Sequence, residues 1–418
     1  MVAAAVIVVS GSGGLSPLTQ LGGLSLLQRA VLTAQRAGAT TCYVCLEQER
    51  EDLKHELQND ARVTSRVVWV GTNLEAMPAI EPEGVCLVFA TDTVFRPPLV
   101  QELARQAAPG KTVTVTTAGI PALALTPAAR VPEVLAELAQ GKPLPETAVL
   151  TDSNQVQADS ARGYFLCRLT SCSALAKVEH ALLLSLENPR DGHVDTYFNR
   201  KLSRLLTRWF VRTPLSPNQI TGLSCLVGVL GALCFVPGGY WGPLLGALLL
   251  QFSIVLDCCD GEVARVKFLE SPLGDWLDIV CDTVVHLAIF LGMGVAVWRD
   301  GTTSHALALA GVLALGGFLA FPLVTLAEKT EAAGERRGGW EDLLIKQLLA
   351  SLTTRDFSVL IVASAVTGSL SWFLWGAAIG AQGFWLFLAW LLLRAGRFSW
   401  LRRVEESKEL STKAVSSP

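Results

Sequence analysis

The chain has 418 residues and a formal net charge of −3 at pH 7, a balance that gives no indication of nucleic-acid binding. Hydrophobic residues make up 51% of it and charged residues only 17%, with a mean hydropathy of +0.42. Average soluble domains carry about 25% charged residues, so this composition indicates that part of the chain lies in lipid. The apolar excess lies after about residue 217 and predicts a membrane part there.

Residues 1–187 alternate short apolar runs with amphipathic stretches, which predicts an α/β domain with a mostly parallel sheet and helices on both faces. The predicted strands are VAAAVIVVS, TTCYVCL, SRVVWVG, GVCLVFA and KTVTVTT. The predicted helices are SLLQRAVLTAQRAG, EREDLKHELQND and LVQELARQA. The N-terminus lacks a basic segment and its apolar run is short and β-branched, so a buried strand fits it better than a signal peptide.

Ten cysteines are present, without a spacing that suggests a disulfide framework. Cys42 and Cys45 form a C-x-x-C inside a predicted strand. Alternation along a strand places these two side chains on opposite faces, so we expect buried cysteines and not a metal or redox pair.

A basic connector occupies residues 188–216. Its arginines recur every four residues, at Arg200, Arg204, Arg208 and Arg212, which places them along one face of a helix. Leucines and a tryptophan fall between them and form an apolar face. The pattern predicts an amphipathic helix at the membrane surface, with its basic side toward lipid headgroups. A solvated linker helix is the alternative.

Six apolar stretches follow within residues 217–398, each near the length that crosses a bilayer as a helix. They cover about 218–236, 240–258, 277–298, 304–326, 357–375 and 379–395. Lysine and arginine cluster in the connector, in GEVARVK, in the 328–355 loop and in RAGRFSWLRR, whereas the alternate loops carry one arginine and no lysine. By the positive-inside rule we expect both termini in the cytoplasm, with residues 399–418 as a cytoplasmic tail.

Two pairs of aspartates stand at the ends of two predicted membrane helices. Asp257 and Asp260 are three residues apart, and Asp278 and Asp282 are four apart, so each pair lies on one helical face. Carboxylates in a membrane are costly, and a short loop between the helices would bring all four together. Such a cluster of hard oxygens suits Mg²⁺ or Mn²⁺ shared with a substrate phosphate. A structural ion-pair cluster between the helices is the alternative.

Small residues accompany these carboxylates. Gly261, Ala264 and Gly274 would let a nucleotide approach the backbone closely. Arg265 stands beside them and would pair with a phosphate or hold a carboxylate in place.

Together these residues match, without a gap, D-x2-D-G-x2-A-R-x8-G-x3-D-x3-D, the pattern of the CDP-alcohol phosphotransferase family. The chain resembles that family also in its six predicted spans. The resemblance implies a site for two Mg²⁺ or Mn²⁺ ions that grip a CDP diphosphate, with Asp257, Asp260 and Asp278 as ligands. It places Asp282 in the same metal site, as the base that activates the acceptor hydroxyl. A homodimer is implied as well.

Three flanking residues are further candidates. Asn218, in the segment TPLSPNQIT that opens the first span, is expected either to face the nucleotide or to cap the helix. His286 lies one turn beyond Asp282, where we favour an interhelical histidine over a role beside the metal. Arg355 is a candidate for binding an anionic acceptor group, with a positive-inside anchor as the alternative.

The whole chain also resembles a fused architecture, the bifunctional inositol-1-phosphate cytidylyltransferase / di-myo-inositol phosphate synthase type. The segments that carry this resemblance are VIVVSGSGGLSPLTQLGGLSLLQRAV, FATDTVFRPPLV and DGHVDTYFNRKLSRLLTR. It implies a nucleotidyltransferase-like N-terminal domain in which Gly11 and Gly13 belong to a glycine-rich loop and Asp92 stands where a metal-binding aspartate is expected. Ser16 replaces the expected triphosphate-binding lysine and the loop arginine is absent, so we favour a degenerate domain that binds or scaffolds.

Three functions are therefore open. The first is a membrane phosphotransferase that moves a phosphoryl-alcohol group from a CDP-alcohol to a hydroxyl acceptor and releases CMP. The second is a bifunctional enzyme whose N-terminal domain also makes the CDP-alcohol from CTP, and the third is a catalytically silent membrane scaffold or transporter. The donor stays open between CDP-diacylglycerol and a CDP-inositol-like polyol, and the acceptor between inositol and a polyol phosphate. The products would serve phospholipid or polyol-phosphate biosynthesis.

Overall fold

The computed structural model describes residues 2–10, 15–71, 84–106, 110–117, 120–140, 157–159, 164–186, 195–332, 339–352 and 357–395. The chain divides into two compact units. The first comprises Met1–Pro189, Arg204–Ser216 and Gly261–Glu270, and the second comprises Arg190–Ser203, Pro217–Asp260 and Ser271–Pro418. Whether the domains begin and end at the boundaries expected from the sequence stays a prediction.

Strands are found in the first unit. In chain order they are β1 (Val2–Val8), β2 (Gln20–Leu21), β3 (Leu24–Ser25), β4 (Thr41–Cys45), β5 (Arg66–Val70), β6 (Val85–Ala90), β7 (Thr93–Phe95), β8 (Val113–Thr117), β9 (Ile120–Pro127), β10 (Gln157–Asp159) and β11 (Tyr164–Arg168). Six of them form one sheet in the order β5-β4-β1-β6-β9-β8, while β10, β11 and β7 form a small sheet and β2 and β3 a hairpin. In the large sheet β5, β4, β1 and β6 are parallel to one another. Strand β9 pairs antiparallel with β6, and β8 pairs antiparallel with β9. The predicted mostly parallel sheet is confirmed.

Helices cover both faces of this sheet, as predicted. They are α1 (Leu26–Arg36), α2 (Glu51–Gln58), α3 (Pro97–Gln106) and α4 (Val131–Gln140), whereas α5 (Leu175–Leu184) packs in a separate cluster with β7 and β11 of the small sheet. One core joins α1, α2 and α3 to the sheet, and a second joins α4 to its other face. A capping box starts α1: the Ser25 hydroxyl accepts from the Gln28 amide at 3.2 Å, and the Gln28 side chain accepts from the Ser25 amide at 3.1 Å.

The two cysteines of β4 point into different cores. Cys42 packs in the core under α1 and α2, whereas Cys45 packs in the core under α4. Burial disfavours the charged thiolate and raises the pKa of both thiols to about 11. These are the buried strand cysteines expected from the alternation.

The connector forms a helix where the sequence predicts one. A π-helical turn at Asp195–Asn199 leads into α6 (Arg200–Phe210), while residues 188–194 lie outside the described part of the chain. Ser203 and Thr207 are buried, whereas Leu205 and Trp209 are 63% and 61% exposed. An exposed apolar pair on a basic helix suits a membrane surface, and that location stays a prediction.

The second unit is helical. Its helices are α7 (Pro217–Phe235), α8 (Trp241–Lys267), α9 (Pro272–Arg299), α10 (Ala306–Ala332), α11 (Trp340–Leu352), α12 (Phe357–Val366) and α13 (Leu370–Arg394), of which the last turns of α8 belong to the first unit. Five of these helices, namely α7, α8, α9, α10 and α13, are long and apolar enough to cross a membrane. Large apolar side chains such as Phe318 and Trp372 are 70% and 78% exposed, as lipid-facing residues would be.

The last two predicted spans have wrong boundaries. The sequence predicts spans at about 357–375 and 379–395, with WGAAIGAQG as the loop between them. In the structure α12 ends at Val366, Gly368 turns the chain with φ +66°, and α13 runs unbroken from Leu370. Glycine is frequent in membrane helices, so a Gly/Ala-rich stretch does not mark a loop there. The ten residues of α12 rise only about 15 Å, half of a bilayer core.

Candidate metal centre

Three carboxylates from α8 and α9 meet inside the second unit. Oxygens of Asp257, Asp278 and Asp282 all lie within 4.8 Å of one another. Asp257 is only 7% exposed, and the two aspartates of α9 are half-buried. The four-residue connection between α8 and α9 is short enough to bring the two helical faces together, as the spacing predicts.

The start of α9 is set by its local sequence. Ser271 is the N-cap, and its hydroxyl accepts from the Gly274 amide at 3.1 Å. Pro272 occupies the first helical position, where its missing N–H costs nothing. The helix thus begins six residues before Asp278, and the carboxylates of Asp278 and Asp282 lie on one face of it.

Asp260 is placed differently from the other three. It is 7% exposed, and its Oδ2 accepts a hydrogen bond from the Thr221 hydroxyl of α7 at 2.5 Å. The same hydroxyl lies 3.1 Å from the Pro217 carbonyl oxygen. Thr221 is therefore a site residue that sequence reasoning missed. Its only sequence signal is its position at the end of TPLSPNQIT, one helical turn after Pro217.

The donor set fits a hard divalent cation. Oxygen ligands around one Mg²⁺ at about 2.1 Å stand at most about 4.2 Å apart, so oxygens within 4.8 Å reach a shared ion through small side-chain rotations. Carboxylates are the ligands that Mg²⁺ and Mn²⁺ prefer. The alternative of a structural ion-pair cluster between the helices stays open beside a metal site.

Two glycines of the motif have close neighbours. A Cβ on Gly274 would lie 3.2 Å from Asn218 Oδ1 and from Ser271 Oγ, so a larger residue would disturb the start of α9. Asn218 is the second residue of α7 and not its cap, and its nucleotide-facing role stays a prediction. A Cβ on Gly261 would lie 3.4 Å from the Arg265 guanidinium, one turn further along α8. Ala264, which lies between the two glycines in the sequence, is half-buried.

The two remaining candidates of the membrane part have different outcomes. The His286 ring centroid lies 6.3 Å from that of Phe290 and 5.4 Å from that of Phe357 on α12. These contacts fit the interhelical histidine that the sequence favours. Arg355 lies outside the described residues, so its acceptor role stays a prediction.

The first unit contains a cavity at the carboxyl ends of its parallel strands. It has a volume of about 730 Å³ and is lined by the last residues of β6 and by residues that follow β1 and β4. Two of its lining residues contact Asp92, which is 2% exposed: Asp92 Oδ2 lies 3.3 Å from Arg168 Nε and 3.2 Å from the Ser10 hydroxyl. Sequence reasoning missed Arg168. Gly11 and Gly13 lie outside the described residues, so their predicted loop role stays a prediction.

The chain was compared with known families and proteins. The family described as CDP-alcohol phosphatidyltransferase matches residues 214–393. A phosphatidylinositol phosphate synthase of Mycolicibacterium smegmatis is 30% identical over 186 residues, which are 40% of this chain and 80% of that protein. The matched region includes the helices that carry the four aspartates.

Longer relatives match over smaller shares of their length. A bifunctional IPC transferase and DIPP synthase of Aquifex aeolicus is 33% identical over 135 residues, 32% of this chain and 30% of that protein. Cholinephosphotransferase 1 of Gallus gallus is 30% identical over 175 residues, 39% of this chain and 48% of that protein. The chain therefore spans less than half of the length of either relative, and their names differ in the alcohol they mention.

Proposed function

Because the chain belongs to the CDP-alcohol phosphatidyltransferase family, we propose that it is a membrane transferase that moves a phosphoryl-alcohol group from a CDP-alcohol to a hydroxyl acceptor. The acceptor oxygen forms a bond to the phosphorus that carries the alcohol, and the bond from that phosphorus to CMP breaks. The observation that carries this proposal is the meeting of Asp257, Asp278 and Asp282 within 4.8 Å.

The four aspartates are the proposed metal ligands. Asp257, Asp260, Asp278 and Asp282 would hold two Mg²⁺ or Mn²⁺ ions. When bound, the ions would neutralise the charge of the diphosphate and of the departing CMP. The Thr221 hydroxyl would orient Asp260, since it holds one of that carboxylate's oxygens at 2.5 Å.

Asp282 is the proposed base. Its carboxylate would take the proton of the acceptor hydroxyl as that oxygen attacks phosphorus. Asn218, Gly261, Ala264, Arg265 and Gly274 would contact the CDP part, since the glycines leave the backbone accessible and the arginine matches a phosphate. Arg355 stays the proposed contact for an anionic acceptor.

The donor is open between two classes. An apolar cavity of about 700 Å³ runs beside α9, lined by Ile279, Thr283, Phe318 and their neighbours. Its apolar lining and its position on a membrane helix favour a donor with acyl chains, such as CDP-diacylglycerol, over a CDP-polyol. We infer further that the protein is a homodimer and that both termini lie in the cytoplasm.

For the N-terminal domain we infer binding or scaffolding without CDP-alcohol synthesis. Asp92 is held by Arg168 and Ser10, so a metal would have to break this ion pair before it could use the carboxylate. Ser16 supplies no positive charge for a triphosphate. The full chain with CTP, Mg²⁺ and inositol 1-phosphate is expected to release no pyrophosphate above background, and metal-dependent release would establish the bifunctional alternative.

The main test measures CMP release by full-length protein purified in detergent. CDP-diacylglycerol and CDP-inositol are offered separately, each with inositol or inositol phosphate, in Mg²⁺, Mn²⁺ or EDTA. We expect EDTA to abolish release. Asp278→Asn and Asp282→Asn should each lower the rate at least about 100-fold, because each removes a metal ligand or the base.

Asp275→Asn is the matched control. Asp275 is an exposed aspartate on the same helix, three residues before Asp278. It should retain nearly the full rate. Metal-independent release, or equal loss in all three variants, would contradict the assigned site. A silent wild type with every donor and acceptor would favour the scaffold.

A further inference from the structure

A second cavity of the first unit is lined by four arginines. It has a volume of about 250 Å³. Arg29 and Arg36 reach it from α1, Arg96 from the residue before α3, and Arg265 from the last turns of α8. Glu270 is the acidic residue among its described lining side chains. Arginines therefore outnumber acidic residues among the described residues that line this small cavity.

Arg29 is the most deeply buried of the four. It is 4% exposed, its Nη2 donates to the Leu21 carbonyl oxygen at 2.7 Å, and its guanidinium lies 5.9 Å from the centre of the Phe268 ring. Its Nε is buried without a hydrogen-bond partner. A buried charged donor that lacks an acceptor is costly, so this nitrogen calls for an acceptor from outside the chain.

Charges near Arg29 only partly compensate it. Burial lowers the pKa of Arg29 to about 10, while the nearby Glu179 raises it and Arg62 lowers it. Glu179 itself lies 3.6 Å from Arg212 in an ion pair. The negative charge of Glu179 is thus shared between Arg29 and Arg212.

The other arginines leave the cavity cationic. Arg36 forms an ion pair with Glu270 at 3.4 Å, between side chains that are 44% and 45% exposed. Arg96 donates to the Ser185 carbonyl oxygen, which carries no charge to offset it. Burial and the neighbouring Arg265 lower the pKa of Arg96. Like charges held together without an anion destabilise the fold.

We propose that Arg29, Arg36 and Arg96 of this cavity bind a phosphate group, either as inorganic phosphate or as the phosphomonoester of a small alcohol. Arg265 keeps its proposed role at the CDP diphosphate. A phosphate carries close to two negative charges at pH 7 and several acceptor oxygens, which match guanidinium forks. The volume lies just below the 300–1,000 Å³ of drug-sized ligand pockets, which favours a small anion over a nucleotide. Such an anion would give Arg29 Nε its acceptor and would join the α/β core to residues 265–270.

The test is equilibrium dialysis of radiolabelled inorganic phosphate against full-length protein in detergent. EDTA is present throughout, so metal-bound phosphate at the aspartates does not contribute and the result is independent of the proposed transferase activity. We expect saturable binding of one phosphate per chain, with competition by glycerol 3-phosphate and by sulfate but not by chloride at equal ionic strength. Tighter competition by glycerol 3-phosphate would identify the phosphomonoester as the preferred source.

Variants connect the binding to this cavity. Arg29→Met and Arg96→Gln should each lower the affinity at least about 10-fold, since each removes a charge-assisted donor. Arg105→Gln is the control, because Arg105 is a 77% exposed arginine of α3 outside the cavity. Its affinity should stay within twofold of the wild type.

Stability separates a binding defect from misfolding. In phosphate-free buffer Arg29→Met should unfold at a temperature equal to or above the wild type, because it removes a buried charge. Saturating phosphate should raise the wild-type unfolding temperature by about 2–4 °C and leave Arg29→Met unchanged. Absence of saturable binding by the wild type, or wild-type affinity in both cavity variants, would overturn the proposal.

Discussion

Gly22 and Gly23 form the two-residue turn between β2 and β3, with φ of +56° and +75°. Both angles lie in the left-handed region that glycine adopts without steric cost. A Cβ on Gly23 would stand 2.2 Å from the Val211 carbonyl oxygen and 2.9 Å from Lys267 Cε. The sequence analysis predicts neither this hairpin nor the close approach to Val211, which lies far along the chain.

Gly23→Ala should therefore destabilise the protein by about 2–5 kcal/mol, because the left-handed conformation and the overlap with the Val211 carbonyl add. The measurement is the unfolding temperature in detergent, followed by circular dichroism. Gly110→Ala is the matched control, since Gly110 has φ +78° but open space around its Cβ position. It should lose only about 1–2 kcal/mol. Equal losses in the two variants would show that the overlap has no effect.

The aspartates show which contacts can be predicted from the spacing of residues in the sequence. The spacing of Asp257, Asp278 and Asp282 within their helices predicts that carboxylates from both helices meet, and these three do. The contact of Asp260 with Thr221 depends on how α7 packs on α8, which no local pattern encodes. The contact of Arg168 with Asp92 could not be predicted either, because Arg168 lies on a strand 76 residues further along the chain.

At the scale of elements, α7 and α9 approach closely through small residues. A Cβ on Gly292 of α9 would lie 2.6 Å from the Ala232 carbonyl oxygen of α7. Helices in lipid gain little from the hydrophobic effect between them and associate through such close packing. Apolar periodicity predicts these helices but not which of their faces touch, since lipid-facing and buried faces are both apolar. The boundary between α12 and α13 was predicted wrongly because glycine and alanine are also common inside membrane helices, so the Gly/Ala-rich stretch WGAAIGAQG does not mark a loop.

Gly292→Leu should separate α7 from α9 and destabilise the second unit by about 1–3 kcal/mol or more. The readout is the fraction of monodisperse protein after heating, measured by size-exclusion chromatography in detergent. Gly311→Leu adds the same side chain on α10, where nothing lies within 4 Å of the Cβ position. That control should behave as the wild type does. Matching losses would mean that leucine is tolerated equally poorly at both sites, and the packing argument would fail.

At the scale of the whole molecule, charge distribution and helix count predict how the chain lies in the membrane. Among the residues that the structure describes, five helices have the length and composition to cross, and α12 is a shorter apolar helix before α13. The turn at Thr367–Ser369 carries no charged residue, so it is compatible with the side of the membrane that the WGAAIGAQG loop was expected to occupy. The predicted orientation, with both termini in the cytoplasm, is therefore compatible with the helices that the structure describes and can be tested.

Labelling with a membrane-impermeant maleimide tests this orientation. Cys172 is exposed in the first unit and should react only when the cytoplasmic face is opened. A cysteine placed at the exposed Ser304, in a Cys172→Ser background, should react from outside intact cells. Cys42 and Cys45 should stay unlabelled because burial raises their thiol pKa to about 11. Labelling of Cys172 in intact cells would reverse the orientation.

The first unit is discontinuous in the chain, because it takes in Arg204–Ser216 and Gly261–Glu270. The second of these stretches begins directly after Asp260 and contains Gly261, Ala264 and Arg265 of the aspartate motif. A gene split or a recombination breakpoint after residue 187 would therefore leave the α/β half without part of its own folded body. Residues 1–187 alone are therefore expected not to reach the fold that they have in the full chain.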